Sequence, residues 1–178
     1  ETMQMTAAMG YEAWLDEQFS LPQPSMLDEM YRYWNLYNDD PELRADRGFL
    51  PDHMLKAWFQ MAWFNHILTT PDLLRNRMAF ILSQIMVINN GTELLEEIRH
   101  IGTTYYEMLG DNAFKNYRTL LSDVTLSPAM GIFLSHYNNP KADPDRNIPP
   151  DENYAREIMQ LFSIGMWELH AEGPRKVN

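Results

Sequence analysis

Apolar residues recur at intervals of three and four along most of the chain, whereas alternating runs of Val, Ile and Thr are nearly absent. This spacing places apolar side chains on one face of an α-helix and predicts a chain that is almost entirely helical. Helix start and stop signals divide the pattern into segments. The predicted helices cover residues 3–9, 11–19, 25–37, 51–68, 70 to the turn at 89–91, 92–109, 111 through at least 124, 127–137 and 151–164.

Short-range signals mark several of these helix ends. Ser25, with Asp28 three positions later, resembles a capping box that opens a helix. Thr70 is the predicted N-cap of another helix, with Pro71 at its first position and Asp72 near the positive end of its dipole. The apolar stripe that follows is predicted to be buried and contains Leu74, Met78, Ile81, Leu82 and Ile85.

The predicted helices are joined by short connections, apart from polar intervals at 38–49 and 138–150 that are predicted surface loops. Asp111 is predicted to cap one helix, and Ser127 with Pro128 to begin the next. Short connections between consecutive helices favour antiparallel packing. The predicted fold is therefore an all-α, multi-helix bundle of antiparallel helices, with residues 1–178 forming one helical domain.

Composition narrows the classes of partner. Of the 178 residues 45% are hydrophobic, which is enough for a core. The formal net charge of -11 opposes binding to a nucleic-acid backbone or an anionic membrane surface, so no nucleic-acid partner is predicted. No apolar run approaches the ~18 residues of a transmembrane segment. The absence of cysteine excludes disulfides, thiolate zinc sites and cysteine nucleophiles from this chain.

Three stretches of the sequence have distinctive compositions. They are GYEAWLDEQF at 10–19, NAFKNYR at 112–118 running on to LSPAM at 126–130, and PDENYAREIMQLFSIG at 150–165, hereafter the signature segment. Together they resemble the DUF1800 family of uncharacterised bacterial proteins, whose middle region is also similar to LLRNRMAF at 73–80.

The resemblance implies a mostly helical bacterial protein, often exported, that continues into a second helical half. The chain is therefore expected to be an N-terminal portion of the family domain, located outside the cytoplasm in the periplasm, the cell envelope or the medium. The lack of cysteine suits an oxidising compartment. The family supplies no catalytic residues that can be carried over to this sequence.

Polar side chains concentrate in the signature segment, where Glu152 with Arg156 and Asn153 with Glu157 are i,i+4 neighbours on a helix. One interpretation is a pocket in which Arg156 orients Glu152 or Glu157 as a general base or metal ligand. Asn153 and Tyr154 would then be binding residues. The other interpretation is a structural network, in which the Arg156 guanidinium reaches the edge of the core and clamps this helix to its neighbours.

Four oxygen-bearing residues are spaced like positions one, three, five and nine of a calcium loop: Asp143, Asp145, Asn147 and Asp151. The similarity stops there, because Ile148 stands where the loop needs Gly and Tyr154 where it needs a bidentate Glu. These residues are predicted to form a rigid acidic turn, with Asp151 as a helix cap, and to bind no divalent cation tightly. No metal and no cofactor are predicted.

The remaining candidates for chemistry are scattered. The five histidines show no His-x-x-x-His pairing, and no serine lies in a Gly-x-Ser-x-Gly turn. The five tryptophans are interpreted as core residues, with a carbohydrate-binding or polymer-binding groove as the alternative. Arg75 and Arg77, close to Asp72, are interpreted as part of a solvated face.

Two functional hypotheses remain. The first is a non-catalytic helical module of an exported bacterial envelope protein, acting in assembly or partner binding, whose partners are other proteins or the C-terminal half of its own domain. The second is a hydrolase-type enzyme that acts on an extracellular polymer through the carboxylates of the 151–164 helix. They differ in whether Glu152 and Glu157 line an open cleft or are sealed by Arg156.

Overall fold

The computed structural model describes residues 2–42, 56–89, 100–163, 165, 167–170 and 173–176. Helices dominate these ranges and pack against one another, which confirms the predicted all-α fold. The helices are α1 (Thr2–Met9), α2 (Tyr11–Ser20), α3 (Met26–Asp39), α4 (Lys56–Thr69), α5 (Leu73–Ile85), α6 (His100–Asp111), α7 (Tyr117–Leu126), α8 (Pro128–Phe133) and α9 (Asn153–Met159). A 3₁₀ turn covers Pro144–Arg146, and strands β1 (Trp167–His170) and β2 (Gly173–Lys176) form an antiparallel hairpin.

Several helix ends occur where the sequence predicts them. The Ser25 side chain accepts a hydrogen bond from the Asp28 N–H at 3.0 Å, as a capping residue should, and α3 begins at Met26. Gly10 separates α1 from α2 at a φ of 88°, a value that residues with a side chain rarely adopt. Pro128 occupies the first turn of α8 after Ser127.

Two predicted caps are wrong. The Thr70 hydroxyl donates to the His66 carbonyl at 2.7 Å, so Thr70 belongs to the end of α4, and Asp72 takes the N-cap position of α5. Asp111 is the last residue of α6, and Asn116 caps α7 by accepting from the Thr119 N–H at 3.0 Å. In each case two capping-type residues lie within a few positions, and tertiary packing selects one of them.

Two predicted helices are shorter than expected. The helix predicted over 127–137 ends at Phe133, because Ser135 and Asn138 adopt positive φ values of 60° and 57° that a helix does not accommodate. The helix predicted over 151–164 spans Asn153–Met159 and continues as a turn, in which the Phe162 N–H donates to the Glu157 carbonyl.

Other boundaries are only partly described. Helix α3 extends to Asp39, so the predicted loop at 38–49 begins with helical residues. The rest of that loop from 43 onward, the predicted helix start at 51–55 and the start of the predicted helix at 92–99 lie outside the described residues. None of the helices in the described ranges has the length and apolarity needed to cross a bilayer.

The buried face of α5 differs from the predicted stripe. Ile81 and Ile85 are exposed at 44% and 42%, whereas Asn76 and Ala79 are buried. Helix α5 packs against α6 and α2, and the face it turns toward them carries these two small or polar residues. Part of its apolar surface is therefore left open to solvent.

Helix α6 lies between two apolar cores and contributes to both. Tyr105 and Leu109 belong to the core built with α7, α8 and α9, while Tyr106 belongs to the core built with α3, α4 and α5. The first core also contains Met86, Leu120, Val124, Ala129, Met130, Leu134, Tyr154 and Phe162, and the second contains Met26, Met30, Trp58, Ala62 and Ala79. Six of the twelve residues of this central helix are buried, Thr103 and Gly110 among them.

Candidate functional site

Two charged residues of the signature segment, Glu152 and Arg156, are exposed to solvent, and a third, Glu157, is half-buried. Glu152 is exposed at the N-cap position, where its side chain makes no capping hydrogen bond. Arg156 is also exposed, so the expectation that its guanidinium reaches the edge of the core is wrong. No ion pair found among the described residues includes Arg156. Glu157 and Asn153 are half-buried.

Tyr154 is the buried residue of α9, and its hydroxyl is bound to Thr125 of α7 at an O–O distance of 2.6 Å. The Thr125 hydroxyl lies 2.6 Å from the Leu121 carbonyl, which can only accept. Thr125 therefore donates to Leu121, and the Tyr154 hydroxyl donates to Thr125. Burial raises the pKa of Tyr154, against the opposing effect of Thr125, so the phenol stays protonated as this chain of bonds requires.

His136 completes this cluster. Its Nε2 lies 3.0 Å from the Thr125 carbonyl, so Nε2 carries the proton, and its ring lies 4.1 Å from the Tyr154 ring at 31°. Ser135 and Asn138, on either side of His136 in the sequence, have positive φ values. No spacing in the sequence indicates this role of His136, because its partners are not other histidines at a fixed interval but a carbonyl and a ring from separate helices.

The cluster joins the end of α7 to the signature segment. The Thr125 carbonyl is among the last of α7, which have no partner within the helix, so His136 satisfies a group that would otherwise be unpaired. The Tyr154 hydroxyl is used in the same internal network. This arrangement anchors α9 and leaves its charged side chains on the surface.

Replacing Tyr154 with Phe is expected to lower the free energy of unfolding by about 0.5–1.5 kcal/mol, because Thr125 loses its donor in a buried setting. For a chain of this size the melting temperature should fall by roughly 1–6 °C. Tyr137→Phe is the matched control, since Tyr137 is 60% exposed and its variant should melt like the wild type. Equal melting temperatures for both variants would show that the cluster does not anchor α9.

The acidic turn holds its carboxylates in internal bonds. Asp143 accepts from the backbone N–H and the guanidinium of Arg146, which hold the pKa of the Asp143 carboxyl below its usual value. The Asp151 carboxylate accepts from the Asn153 N–H at 2.8 Å, and the Asn139 side chain pairs with the Asp151 backbone. Within the described residues, no three His, Asp or Glu side chains converge as metal ligands.

A buried ion pair lies at the start of α5, where a solvated face was expected. Asp72 is fully buried, and its Oδ2 lies 3.9 Å from Nε of Arg75, whose side chain is 13% exposed. Arg75 also donates to the carbonyls of Gly110 and Leu21, both at 3.1 Å, and lies over the Phe114 ring. The interpretation of Arg75 as solvated is wrong, and the clamp expected at Arg156 is found at Arg75.

Gln18 extends this junction to α2. Its side-chain nitrogen donates to the Pro71 carbonyl at 3.1 Å, and its oxygen accepts from the Leu74 N–H at 3.0 Å. Gln18 thereby pairs with one backbone carbonyl before α5 and one backbone N–H in its first turn. The junction ties α2, α5 and α6 together, and its Gln18 and Asp72 side chains are buried.

An open apolar groove runs between α4 and α5. It has a volume of about 400 Å³ and is lined by Trp63, Ile67, Leu73, Asn76, Arg77 and Phe80. Beside it Phe64 is 55% exposed and Leu68 is 77% exposed. The interpretation of the tryptophans as core residues holds for Trp58, which is buried, whereas Trp63 is half-buried and also forms a wall of the groove. This groove is an open apolar surface in the described part of the chain.

Comparison with known proteins gives a family but no activity. No curated protein matches the sequence, and neither does any solved structure. The family described as "Protein of unknown function (DUF1800)" matches residues 1–173, which is nearly the whole chain. The matched region contains the three family-like stretches at 10–19, 112–130 and 150–165 and the similar stretch at 73–80. It also contains α4 and α5, the two helices that form the groove. The chain therefore belongs to the DUF1800 family.

Proposed function

We propose that this chain is a non-catalytic helical module of an exported bacterial envelope protein and that it acts in assembly by binding a helix of a protein partner. The binding surface is the groove between α4 and α5. The proposal rests on one observation, the exposed apolar surface that surrounds this groove.

The groove has the composition of an interface rather than of an ordinary surface. Leu73 and Phe80, two of its lining residues, are 36% and 38% exposed. Phe64 and Leu68 on α4 and Ile81 on α5, the helices that form the groove, are exposed as well. Large exposed apolar side chains that collect on neighbouring elements are typical of interaction sites. Covering it with a partner would remove this surface from water at a gain of roughly 25 cal/mol per Å².

The shape and charge of the groove indicate the kind of partner. Two helices with an apolar channel between them accept the apolar face of a third helix, with anchor residues at i, i+3 or i+4, and i+7. Arg77 is the charged residue among the six that line the groove, and it is exposed. A partner helix with an acidic residue opposite Arg77 would therefore be preferred over one with a basic residue there.

The partner that we propose first is the C-terminal half of the family domain, which the resemblance implies. Helices of one domain cover each other's apolar faces, so this half would close the groove. The hydrolase alternative has less support, because Glu152 and Glu157 do not line the groove and Arg156 does not orient them through an ion pair in the described residues.

Export is the other part of the proposal, and cell fractionation that places the native protein in the cytoplasm would contradict it.

The test is to produce residues 1–178 and the C-terminal half as separate polypeptides and to measure their association by calorimetry. Leu73→Asp is expected to weaken binding roughly thirtyfold or more, the effect of losing an interface anchor worth about 2 kcal/mol. Leu126→Asp is the matched control, because Leu126 is 79% exposed on α7, outside the groove, and its variant should bind like the wild type. Equal weakening by the two variants, or no association at all, would overturn the proposed groove partner.

A further inference from the structure

Asn76 is the one buried polar residue among the six that line the groove. It is 7% exposed, whereas Arg77, the other polar residue of the lining, is open to solvent. The remaining four lining residues are apolar: Trp63, Ile67, Leu73 and Phe80. A partner that packs on these apolar side chains would also cover Asn76, so the group that it places there affects how well it fits.

The side-chain amide of Asn76 is held in one orientation. Its Nδ2 donates to the Thr70 hydroxyl at 2.8 Å and to Oδ1 of Asp72 at 3.1 Å. The Asp72 carboxylate can only accept, and the Thr70 hydroxyl uses its own proton toward the His66 carbonyl. Turning the amide over would place its oxygen against two oxygens that have no proton for it, so Nδ2 stays directed inward.

The oxygen of the same amide is left without a partner. No hydrogen bond found among the described residues reaches Oδ1 of Asn76. This oxygen is not one of the unpaired polar atoms that are sealed from solvent in the described ranges, so it keeps accessible surface. Because Asn76 lines the groove, that surface faces the groove. Water can bind the oxygen while the groove is open, but a partner that fills the groove excludes that water.

We propose that the helix that binds this groove carries a side chain with a neutral hydrogen-bond donor, an amide or a hydroxyl, which donates to Oδ1 of Asn76. The inference rests on the proposed groove function and adds the chemistry of the partner to it. An apolar side chain at this place would bury the oxygen unpaired, which costs free energy. Sites with such a buried polar group reject partners that cannot pair with it. A cationic donor is disfavoured, because Arg77 is the next residue of α5.

The position of Asn76 also determines where the donor lies in the partner helix. Leu73, Asn76 and Phe80 follow at i, i+3 and i+7, so they share one face of α5, with Asn76 between the two apolar residues. A partner helix lying along α5 then has its donor about one turn from an apolar anchor on each side. This pattern distinguishes it from a helix with an uninterrupted apolar stripe.

The test uses the C-terminal half of the family domain as the probe and measures its binding to variants of this chain by calorimetry. Asn76→Leu is expected to weaken binding roughly five- to a hundredfold, the effect of leaving the partner's donor buried without an acceptor. A partner with an uninterrupted apolar stripe would instead bind this variant at least as tightly as the wild type, because leucine enlarges the apolar surface of the groove. The two kinds of partner therefore respond differently to one substitution.

Thr70→Val is the matched control for structural effects. It removes one acceptor of the Asn76 Nδ2 but leaves Oδ1 in place, so it should bind like the wild type. Thermal unfolding shows whether each variant is folded. A crystal structure of the wild-type complex needs no variant, and it is expected to place a donor side-chain atom of the partner within about 3.2 Å of Oδ1. If Asn76→Leu does not fold, this structure decides the question.

The proposal is overturned if folded Asn76→Leu binds at least as tightly as the wild type, if Thr70→Val weakens binding equally, or if the complex places no donor side chain against Oδ1. Leu73→Asp reports separately on the groove. When Leu73→Asp weakens binding and Asn76→Leu does not, the groove function stands and only the donor is wrong. If Leu73→Asp has no effect, or the two halves do not associate, the groove function fails and this inference fails with it.

Discussion

Replacing Arg75 with Ala is expected to lower the free energy of unfolding by about 3–5 kcal/mol, the cost of leaving a buried carboxylate without its cation. The Asp72 carboxylate has no exposure and lies 3.9 Å from the Arg75 guanidinium. The variant also removes the donors to the carbonyls of Gly110 and Leu21. Thermal unfolding should occur roughly 6–20 °C lower than in the wild type.

The neighbouring arginine provides the control for this experiment. Arg77→Ala removes the same charge two residues away on the same helix, but Arg77 is exposed, so its effect on stability should stay within about 0.5 kcal/mol. Adding Asp72→Asn to Arg75→Ala should recover part of the loss, because removing both charges of a buried pair is less destabilising than removing one. If Arg75→Ala and Arg77→Ala have the same melting temperature, the contacts of Arg75 are not what joins α2, α5 and α6.

Gly110→Val is expected to destabilise the fold by about 1–2 kcal/mol, mainly because the end of the Gln23 side chain must move and lose its hydrogen bond. A Cβ at Gly110 would lie 2.6 Å from Oε1 and 2.8 Å from Nε2 of Gln23, far inside normal contact distance. Gln23 would have to leave the Glu107 carbonyl, to which its Nε2 donates at 2.9 Å. Urea denaturation of the variant and the wild type measures the difference.

A second substitution separates this clash from a general intolerance of the position. Gln23→Ala removes the side chain that a larger residue at 110 would meet. The double variant Gln23→Ala/Gly110→Val should therefore be less destabilised than the sum of the single variants by about 1 kcal/mol or more. If the effects of the two substitutions simply add, the Gln23 side chain is not what limits the size of residue 110. Glycine would then be required there for its backbone conformation.

The stretches that resemble the family perform mainly structural tasks in this fold. Gly10 makes the turn between α1 and α2, and Gln18 holds the α4–α5 connection. Asn112 is buried and links the end of α6 to Asp123 of α7, while Asn116 caps α7. In the signature segment, the buried residue Tyr154 is the anchor. Distinctive polar residues in these stretches thus identify packing constraints as readily as they identify chemistry.

The sequence by itself determined the features that depend on neighbouring residues. The helical period, the cap of Ser25 on Asp28, the turn at Gly10 and the helix start at Pro128 all involve atoms within about one helical turn. The absence of cysteine excludes thiol chemistry from this chain, and the spacing around Asp143 departs from that of a calcium loop. Local geometry leaves few alternatives, so a linear pattern is sufficient to predict these features.

Only the tertiary structure decided which polar residues are buried and what they bind. Arg75 meets carbonyls 35 and 54 residues away, whereas Arg156, with an equally polar neighbourhood in the sequence, faces solvent. His136 is positioned by Thr125 and by the Tyr154 ring, which come from two different helices. The open groove likewise depends on how α4 and α5 pack. A charge or a ring acquires such a role only when distant segments are brought within a few ångströms, and that distance is not encoded in local spacing.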